Sequence, residues 1–260
     1  QAFKKALELN PKNDAAYVGF GQLYRNQGKF TESEQAFKKA IELNPKNDSA
    51  YEGFGQIYGN QGKFTESEQA FKKAIELNPK NDTAYVGFGQ LYRNQGKSTE
   101  SEQILKKAIE LNPKNDSAYI ELGWLYKIQG KLDELEQVLK KAIELNPKND
   151  SACGGLGWLY KTQGKLYESE QVLKKAIEFN PNNEYLYGSL AMIYFDMGSN
   201  ELSKMYAEKA NSLRDKYYNS VTVNNYHMLK QILDKRKIKL VCVQYPVRNI
   251  RPLKNIFKEE

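Results

Sequence analysis

The sequence repeats itself with a period of 34 residues. Residues 36–69 read AFKKAIELNPKNDSAYEGFGQIYGNQGKFTESEQ, residues 70–103 read AFKKAIELNPKNDTAYVGFGQLYRNQGKSTESEQ, and the two differ at 5 of 34 positions. The same pattern continues with lower similarity to residue 217. A short unit cannot bury its own apolar face, so tandem copies must stack on one another. The period therefore predicts a linear array of repeated units that share an elongated core.

Each unit is predicted to form two helices. Residues 16–24 place apolar side chains at three- and four-residue spacing, which gives a helix one buried face. Gly28 suits the left-handed conformation that often follows a helix end. Thr31 and Glu34 form a capping box at the predicted start of the second helix. Pro45 restricts the residue before it and ends that helix, and Asp48 is expected to cap the first helix of the next unit.

Several positions of each unit match a known repeat family. In the first full unit they are Tyr17, Phe20, Gly21, Tyr24, Ser33, Phe37, Ala40 and Pro45. They resemble the tetratricopeptide repeat signature, in which an aromatic residue, Leu-Gly, Tyr, Ala, Phe, Ala and Pro recur, with Ser here in place of the first Ala. The resemblance covers residues 1–217, as a half unit at 1–13, five full units and a divergent unit at 184–217. It implies an all-α right-handed superhelix, an α-solenoid, that serves as a scaffold for protein binding and is not an enzyme.

By similarity to that family, the first helix of each unit lines a concave groove. Residues four, eight and eleven beyond the starting acidic residue fall on one side of that helix, and an asparagine flanks them. The predicted groove residues are Gln22, Arg25, Asn26, Gln56, Asn60, Gln90, Arg93, Asn94, Trp124, Lys127, Trp158 and Lys161. Amides can pair with a peptide backbone, Trp supplies apolar contact area, and Arg or Lys can meet carboxylates. Alternatively, the two tryptophans fill spaces between helices and the cations form a solvated row.

The expected partner is a protein or an extended peptide, and self-association through the terminal units is possible. Some relatives bind acidic chaperone tails through a clamp of Lys, Asn and Arg. The corresponding positions here hold Val18, Gln22, Gly53, Thr83 and Gly87. The clamp is therefore absent, and binding of chaperone tails is not predicted.

Glycines also recur inside the predicted first helices, as at Gly53 and Gly87. A glycine in a helix interior costs about 1 kcal/mol relative to alanine. Its repetition therefore predicts a compensating gain. We expect close packing of helices at these positions, with space for a ligand in the groove as the alternative.

The charge and the scarce reactive residues exclude several functions. The chain carries +7 overall. Residues 218–260 hold nine basic and three acidic side chains, hence +6, which leaves +1 for residues 1–217. A nearly neutral array does not predict nucleic-acid binding. Two cysteines and one histidine give no metal-ligand spacing, so no metal, cofactor or catalytic residue is predicted. No run is long enough for a membrane-spanning helix, and because the chain opens with Gln1 inside a repeat, its natural amino terminus is expected upstream.

The period is lost after residue 217. Residues 225–235 are predicted to form an amphipathic helix, residues 239–245 a buried strand, and residues 253–258 a further helix. A helix-strand-helix piece needs a larger sheet, so residues 218–260 are interpreted as part of a truncated α/β domain. The pattern LKQIL…KIKLVCVQYP is similar to the late part of SGNH (GDSL-type) ester hydrolases. That resemblance implies, as an alternative function, a hydrolase fragment that lacks the family's catalytic blocks and is inactive.

Overall fold

The computed structural model describes residues 2–218, and the described part of the chain contains helices and turns without any strand. The helices are α1 (Ala2–Leu9), α2 (Asp14–Asn26), α3 (Phe30–Leu43), α4 (Asp48–Asn60), α5 (Phe64–Leu77), α6 (Asp82–Asn94), α7 (Ser98–Leu111), α8 (Asp116–Gln129), α9 (Leu132–Leu145), α10 (Asp150–Thr162), α11 (Leu166–Phe179), α12 (Glu184–Asp196) and α13 (Asn200–Tyr218). The prediction of an all-α repeat array is confirmed for these residues. The helix-strand-helix piece predicted for 218–260 lies outside them, apart from Tyr218, which ends α13.

The chain divides into two compact units inside α10, residues 1–152 and residues 153–260. In the first unit, α2 pairs with α3, α4 with α5, α6 with α7 and α8 with α9 as antiparallel hairpins. Each hairpin packs on the next, and the first helices α2, α4, α6 and α8 also contact one another in order. In the second unit, α12 pairs with α13 and packs on α11. The domain boundary at residue 217 stays a prediction.

The turn inside each hairpin agrees with the sequence, but the predicted capping box does not. Gly28 has φ +73°, as the left-handed turn requires, and the amide of Lys29 then donates to the carbonyl of Tyr24 at 2.9 Å. The second helix begins directly afterwards at Phe30, and no side chain caps it. The capping box at Thr31 was therefore wrong, because the glycine turn leads the chain into helix before Thr31 is reached.

A buried serine joins the two helices of most hairpins. Ser67 is fully buried, and its hydroxyl donates to the carbonyl of Gly55 at 2.6 Å. Equivalent bonds are made by Ser33, Ser101 and Ser169. The serines that replace the family's alanine thus satisfy their own hydroxyls and tie the second helix to the first. In the fourth full unit, Leu135 takes this place and is buried as an apolar contact.

Replacing Ser67 by alanine is expected to lower the free energy of unfolding by about 1 kcal/mol, the usual net value of an intramolecular hydrogen bond. Urea unfolding followed by circular dichroism measures the loss. Ser117→Ala, at an exposed position of α8, is the control and should change stability by a few tenths of that value. Equal effects of the two substitutions would show that the buried bond contributes nothing.

A second polar contact joins neighbouring units. The carboxylate of Asp48 accepts hydrogen bonds from the amides of Asn78 at 2.9 Å and Asn81 at 2.7 Å, both in the following turn. Asn81 also accepts from the amide of Ala84 and so caps α6. The same arrangement surrounds Asp14, whose pKa is lowered by its hydrogen bonds from the next turn. The asparagine is thus the cap, and the prediction of an aspartate cap was wrong because the aspartate binds the next unit.

The glycines inside the first helices allow close packing. Phe37 is fully buried, and a Cβ built on Gly53 would come within 2.3 Å of its ring, while one on Gly21 would come within 2.6 Å. Phe71 lies in the same way between Gly55 and Gly87. The prediction of close packing at these glycines is confirmed.

Candidate peptide-binding cleft

A cleft of about 340 Å³ opens between α2, α4 and α6 in the first unit. Five of the predicted groove residues line it: Arg25, Gln56, Asn60, Gln90 and Asn94. The other lining residues are Gly55, Gly59, Phe71, Gly87 and Leu91. The structure therefore brings amides and one guanidinium from three successive units to a single space, over a partly apolar wall.

The cleft exists because Gly59 carries no side chain. The same position of the other units holds Arg25, Arg93, Lys127 or Lys161. A long cation at Gly59 would extend into the space that the glycine leaves open, whereas its Cβ alone would meet the hydroxyl of the buried Ser67 at 3.3 Å and the side chain of Leu91 at 3.9 Å. Gly87 also lines the cleft, but the place of its missing side chain is occupied by the ring of Phe71, so at this residue the glycine serves close packing.

Arg25 is the cation of the cleft. Its side chain is half-buried, and its Nη2 lies 3.5 Å from the Oδ1 of Asn26, at the outer limit of a hydrogen bond. Burial lowers the pKa of Arg25, and the charge of Glu52 opposes that shift. Within residues 2–218, no carboxylate lies within 4.0 Å of Arg25 as an ion-pair partner. The guanidinium is thus partly desolvated and lacks a close counter-ion in the described chain.

Glu52 does not line the cleft, but it accepts hydrogen bonds that hold the helices around it. Its carboxylate accepts from the Nε2 of Gln56 at 2.8 Å and from the hydroxyl of Thr83 at 2.8 Å, so it ties α4 to α6. Burial raises the pKa of Glu52, while the hydrogen bond from Thr83 and the charge of Arg25 oppose the rise. The Oε1 of Gln56 is buried and has no hydrogen-bond partner in the described part of the chain. The site prediction omitted Glu52, although it stands four residues beyond the starting aspartate of its helix.

Arg93 lies outside the cleft. It donates through Nε and Nη2 to one oxygen of Glu121 at 3.3 and 3.0 Å, and both side chains are largely buried. Glu121 stands where Gly53 and Gly87 stand in earlier units, and Leu105 replaces the phenylalanine that packs on those glycines. The smaller leucine leaves room for a side chain, so the fourth full unit gains an ion pair.

The remaining predicted residues are not gathered at the cleft. Gln22 and Asn26 are exposed on α2. Trp124 is half-buried on α8, with the Nζ of Lys127 at 5.1 Å from its ring centre. In the second unit, Trp158 is 36% exposed and Lys161 pairs with Asp196 at 3.2 Å.

Two further exposed apolar residues were missed by the sequence reasoning. Met192 and Phe195 lie on α12 of the second unit and are 56% and 68% exposed. They stand eight and eleven residues beyond Glu184, at the positions of the predicted groove row. The signal was present in the sequence, but the row was followed only to the fifth full unit.

Residues 2–218 contain no cluster of three or more His, Cys, Asp or Glu side chains that could hold a metal ion. Over the same residues, no helix is both long and apolar enough to be a membrane span.

The repeated helical hairpins, together with the recurring residues through which they stack, define a tetratricopeptide-repeat protein. Residues 4–226 match the family described as the cilia and flagella-associated protein 70 C-terminal domain, and the chain belongs to this family. No curated protein matches the sequence. The comparisons give no support to the resemblance with SGNH hydrolases, which falls on residues outside the described part of the chain.

Solved structures share the fold. Yeast Tom70 is 21% identical with a TM-score of 0.68, and the match covers 88% of this chain and 50% of that one. A chain of the APC/C hetero-tetramer Cut9–Hcn1 is 16% identical with a TM-score of 0.67, over 81% of this chain and 42% of that one. PilF of Pseudomonas aeruginosa is 16% identical with a TM-score of 0.65, over 88% and 99%. The chain thus spans about half or less of the first two, and these likenesses establish the fold alone.

Proposed function

We propose that this chain is a protein-interaction scaffold that binds an extended peptide segment of a partner in the cleft between α2, α4 and α6. One observation carries the proposal: five of the groove residues predicted by similarity to the repeat family line one space in the first unit. The Cut9–Hcn1 structure, a hetero-tetramer that includes a chain of the same fold, agrees with a scaffold role.

The chemistry of the lining residues suits a peptide backbone. Each amide side chain offers both donors and an acceptor, and Asn60 and Asn94 occupy the same position of successive units, so they can pair with peptide groups along an extended segment. Phe71 and Leu91 offer apolar contact. Arg25 can receive a carboxylate or a carbonyl oxygen of the ligand, because no close carboxylate of the described chain holds it.

Gly59→Arg tests this function by filling the cleft. The substitution restores the residue type that α2 and α6 carry at this position, so the helix should form as before. At least one class of the peptides that the full chain selects from a displayed random library is expected to bind this variant about tenfold more weakly or worse, a loss of about 1.4 kcal/mol, as measured by titration.

Gln35→Arg is the matched control, because it adds the same side chain at an exposed position of α3. It should leave peptide affinity unchanged, and circular dichroism should show equal helix content in both variants. If every selected peptide binds Gly59→Arg as tightly as the natural chain, the cleft is not the peptide site.

The two alternative functions stay predictions. The inactive SGNH-type hydrolase fragment rests on residues 226–257, which lie outside the described residues. Self-assembly of the repeat array is favoured by no observation on residues 2–218.

A further inference from the structure

The second unit carries an exposed apolar surface formed by Trp158 on α10 with Met192 and Phe195 on α12. Their exposed fractions are 36%, 56% and 68%. Contiguous exposed apolar patches of a few hundred Å² are often functional. We refer to these three residues as the apolar surface.

Two contacts show that these side chains lie on neighbouring helices and along the same side. Near the start of the helices, a Cβ built on Gly154 would meet the ring of Tyr185 at 2.7 Å. Near their ends, the Nζ of Lys161 lies 3.2 Å from the carboxylate of Asp196. On α10, Trp158 lies between Gly154 and Lys161. On α12, Met192 lies between Tyr185 and Asp196. The apolar surface therefore spans adjacent turns of both helices.

A missing side chain makes room beside the apolar surface. A Cβ built on Gly188 would have no atom within 4 Å, and Gly188 is one helical turn before Met192. In residues 1–152, the equivalent position of every full repeat carries a side chain: Val18, Glu52, Val86 and Ile120. The second unit thus has open space next to exposed apolar groups, where an apolar side chain of a ligand can be received.

The charged residues of the two helices that carry this surface lie at the helix ends. Lys161 and Asp196 pair with each other at its edge, and the only other charged residue of α12 is Glu184 at its first position. The apolar surface thus differs in chemistry from the cleft, where a guanidinium and amides dominate. A ligand recognised here contributes apolar area and needs no charge.

The size of the surface limits what can cover it. With aromatic side chains of about 200 Å² each, the exposed fractions correspond to roughly 300 Å². A stable interface between folded proteins needs about 800 Å² from each partner. The surface is too small for a stable dimer of this chain and fits a short segment.

We propose that the apolar surface binds a short partner segment that presents two or more large apolar side chains, such as Leu, Ile or Phe. It is a second ligand site with its own chemistry, and it stands whether or not the cleft binds a peptide. Because binding is driven by burial of apolar area, its affinity changes little with salt.

The test selects short peptides from a random library on the full chain and titrates them against variants. Peptides rich in large apolar residues are expected to lose about tenfold or more in affinity on Met192→Gln/Phe195→Gln, and to bind Gly59→Arg unchanged. Ile128→Gln/Tyr167→Gln is the matched control, because these side chains are 65% and 66% exposed elsewhere. Glutamine favours helix, and equal melting curves verify the fold of each variant.

Three results would overturn the proposal. The first is that no selected peptide depends on Met192 or Phe195. The second is a dimer in light scattering that Met192→Gln/Phe195→Gln dissociates, which would make a second copy the occupant. The third comes from the variant Trp124→Phe, in which Trp158 is the sole tryptophan. If acrylamide quenches the fluorescence of Trp158 only after residues 219–260 are removed, the chain covers the surface itself. Quenching of Trp158 in the full chain, reduced by a bound apolar peptide, supports the proposal.

Discussion

Replacing Gly53 by alanine is expected to destabilise the protein by up to about 2 kcal/mol, although alanine favours helix over glycine by about 1 kcal/mol. The added Cβ would lie 2.3 Å from the end of the Phe37 ring. The ring has little room to move, because it is fully buried and also packs closely on Gly21. Overpacking of such a core costs about 1–3 kcal/mol and sometimes more, so the clash outweighs the gain in helix propensity. Urea unfolding followed by circular dichroism measures the net effect.

Two further variants separate the clash from the propensity. Gly188→Ala adds a Cβ to open space and is expected to stabilise by up to about 1 kcal/mol. Combining Gly53→Ala with Phe37→Leu should recover part of the loss, because the chain itself pairs Leu105 with the larger Glu121 at the same register. A gain in stability from Gly53→Ala alone, equal to that of Gly188→Ala, would contradict the packing account.

Local features were predicted well because they depend on a few neighbouring residues. The apolar spacing gave the helices, and Gly28 has the positive φ that its position beyond a helix end predicts. The caps were predicted wrongly because Asn47 and Asp48 are equally good cap residues in isolation. The choice between them depends on Asn78 and Asn81, which lie in the next unit and bind the aspartate. Such a contact over 30 or more residues is invisible to a local pattern.

The candidate site was predicted in composition but not in extent. Position within the repeat identified the amides Gln56 and Gln90, which do line one cleft. What the pattern did not reveal is that the cleft depends on the absent side chain of Gly59. Nor did it reveal that Arg93, in the same position as Arg25, is held by a carboxylate of the next unit. Both facts depend on how three repeats pack together. Comparing the groove positions one helix at a time gives no information on that packing.

Replacing Arg93 by glutamine is expected to destabilise the protein by about 2–3 kcal/mol at neutral pH. Arg93 and Glu121 form their ion pair with side chains that are only 18% and 16% exposed. Removing one partner of a buried pair leaves the other charge desolvated and commonly costs 3–5 kcal/mol. The expected loss is smaller here because both side chains keep some contact with water. Thermal or urea unfolding of the variant beside the natural chain measures it.

The pH dependence of this loss identifies its cause. Burial raises the pKa of Glu121, and the charge of Arg93 opposes the rise, so Arg93→Gln should raise that pKa further. A carboxyl group whose pKa is higher in the folded state stabilises the fold only while it is protonated, and that contribution is lost as the pH rises through the folded pKa. The deficit of Arg93→Gln should therefore shrink as the pH falls from neutral to below 4.5, the ordinary glutamate value.

The double variant Arg93→Gln/Glu121→Gln completes the argument. Replacing both members of the pair leaves no stranded charge, so this variant should be more stable than Arg93→Gln at neutral pH and show no such pH dependence. Two results would contradict this explanation: the stability loss of Arg93→Gln is the same at every pH, or adding Glu121→Gln does not reduce it. Either result would mean that the loss comes from lost packing of the arginine and not from a stranded carboxylate. Under the proposal that peptides bind at the neighbouring cleft, their affinity for the double variant should equal that for the natural chain, which separates the ion pair's role in stability from recognition.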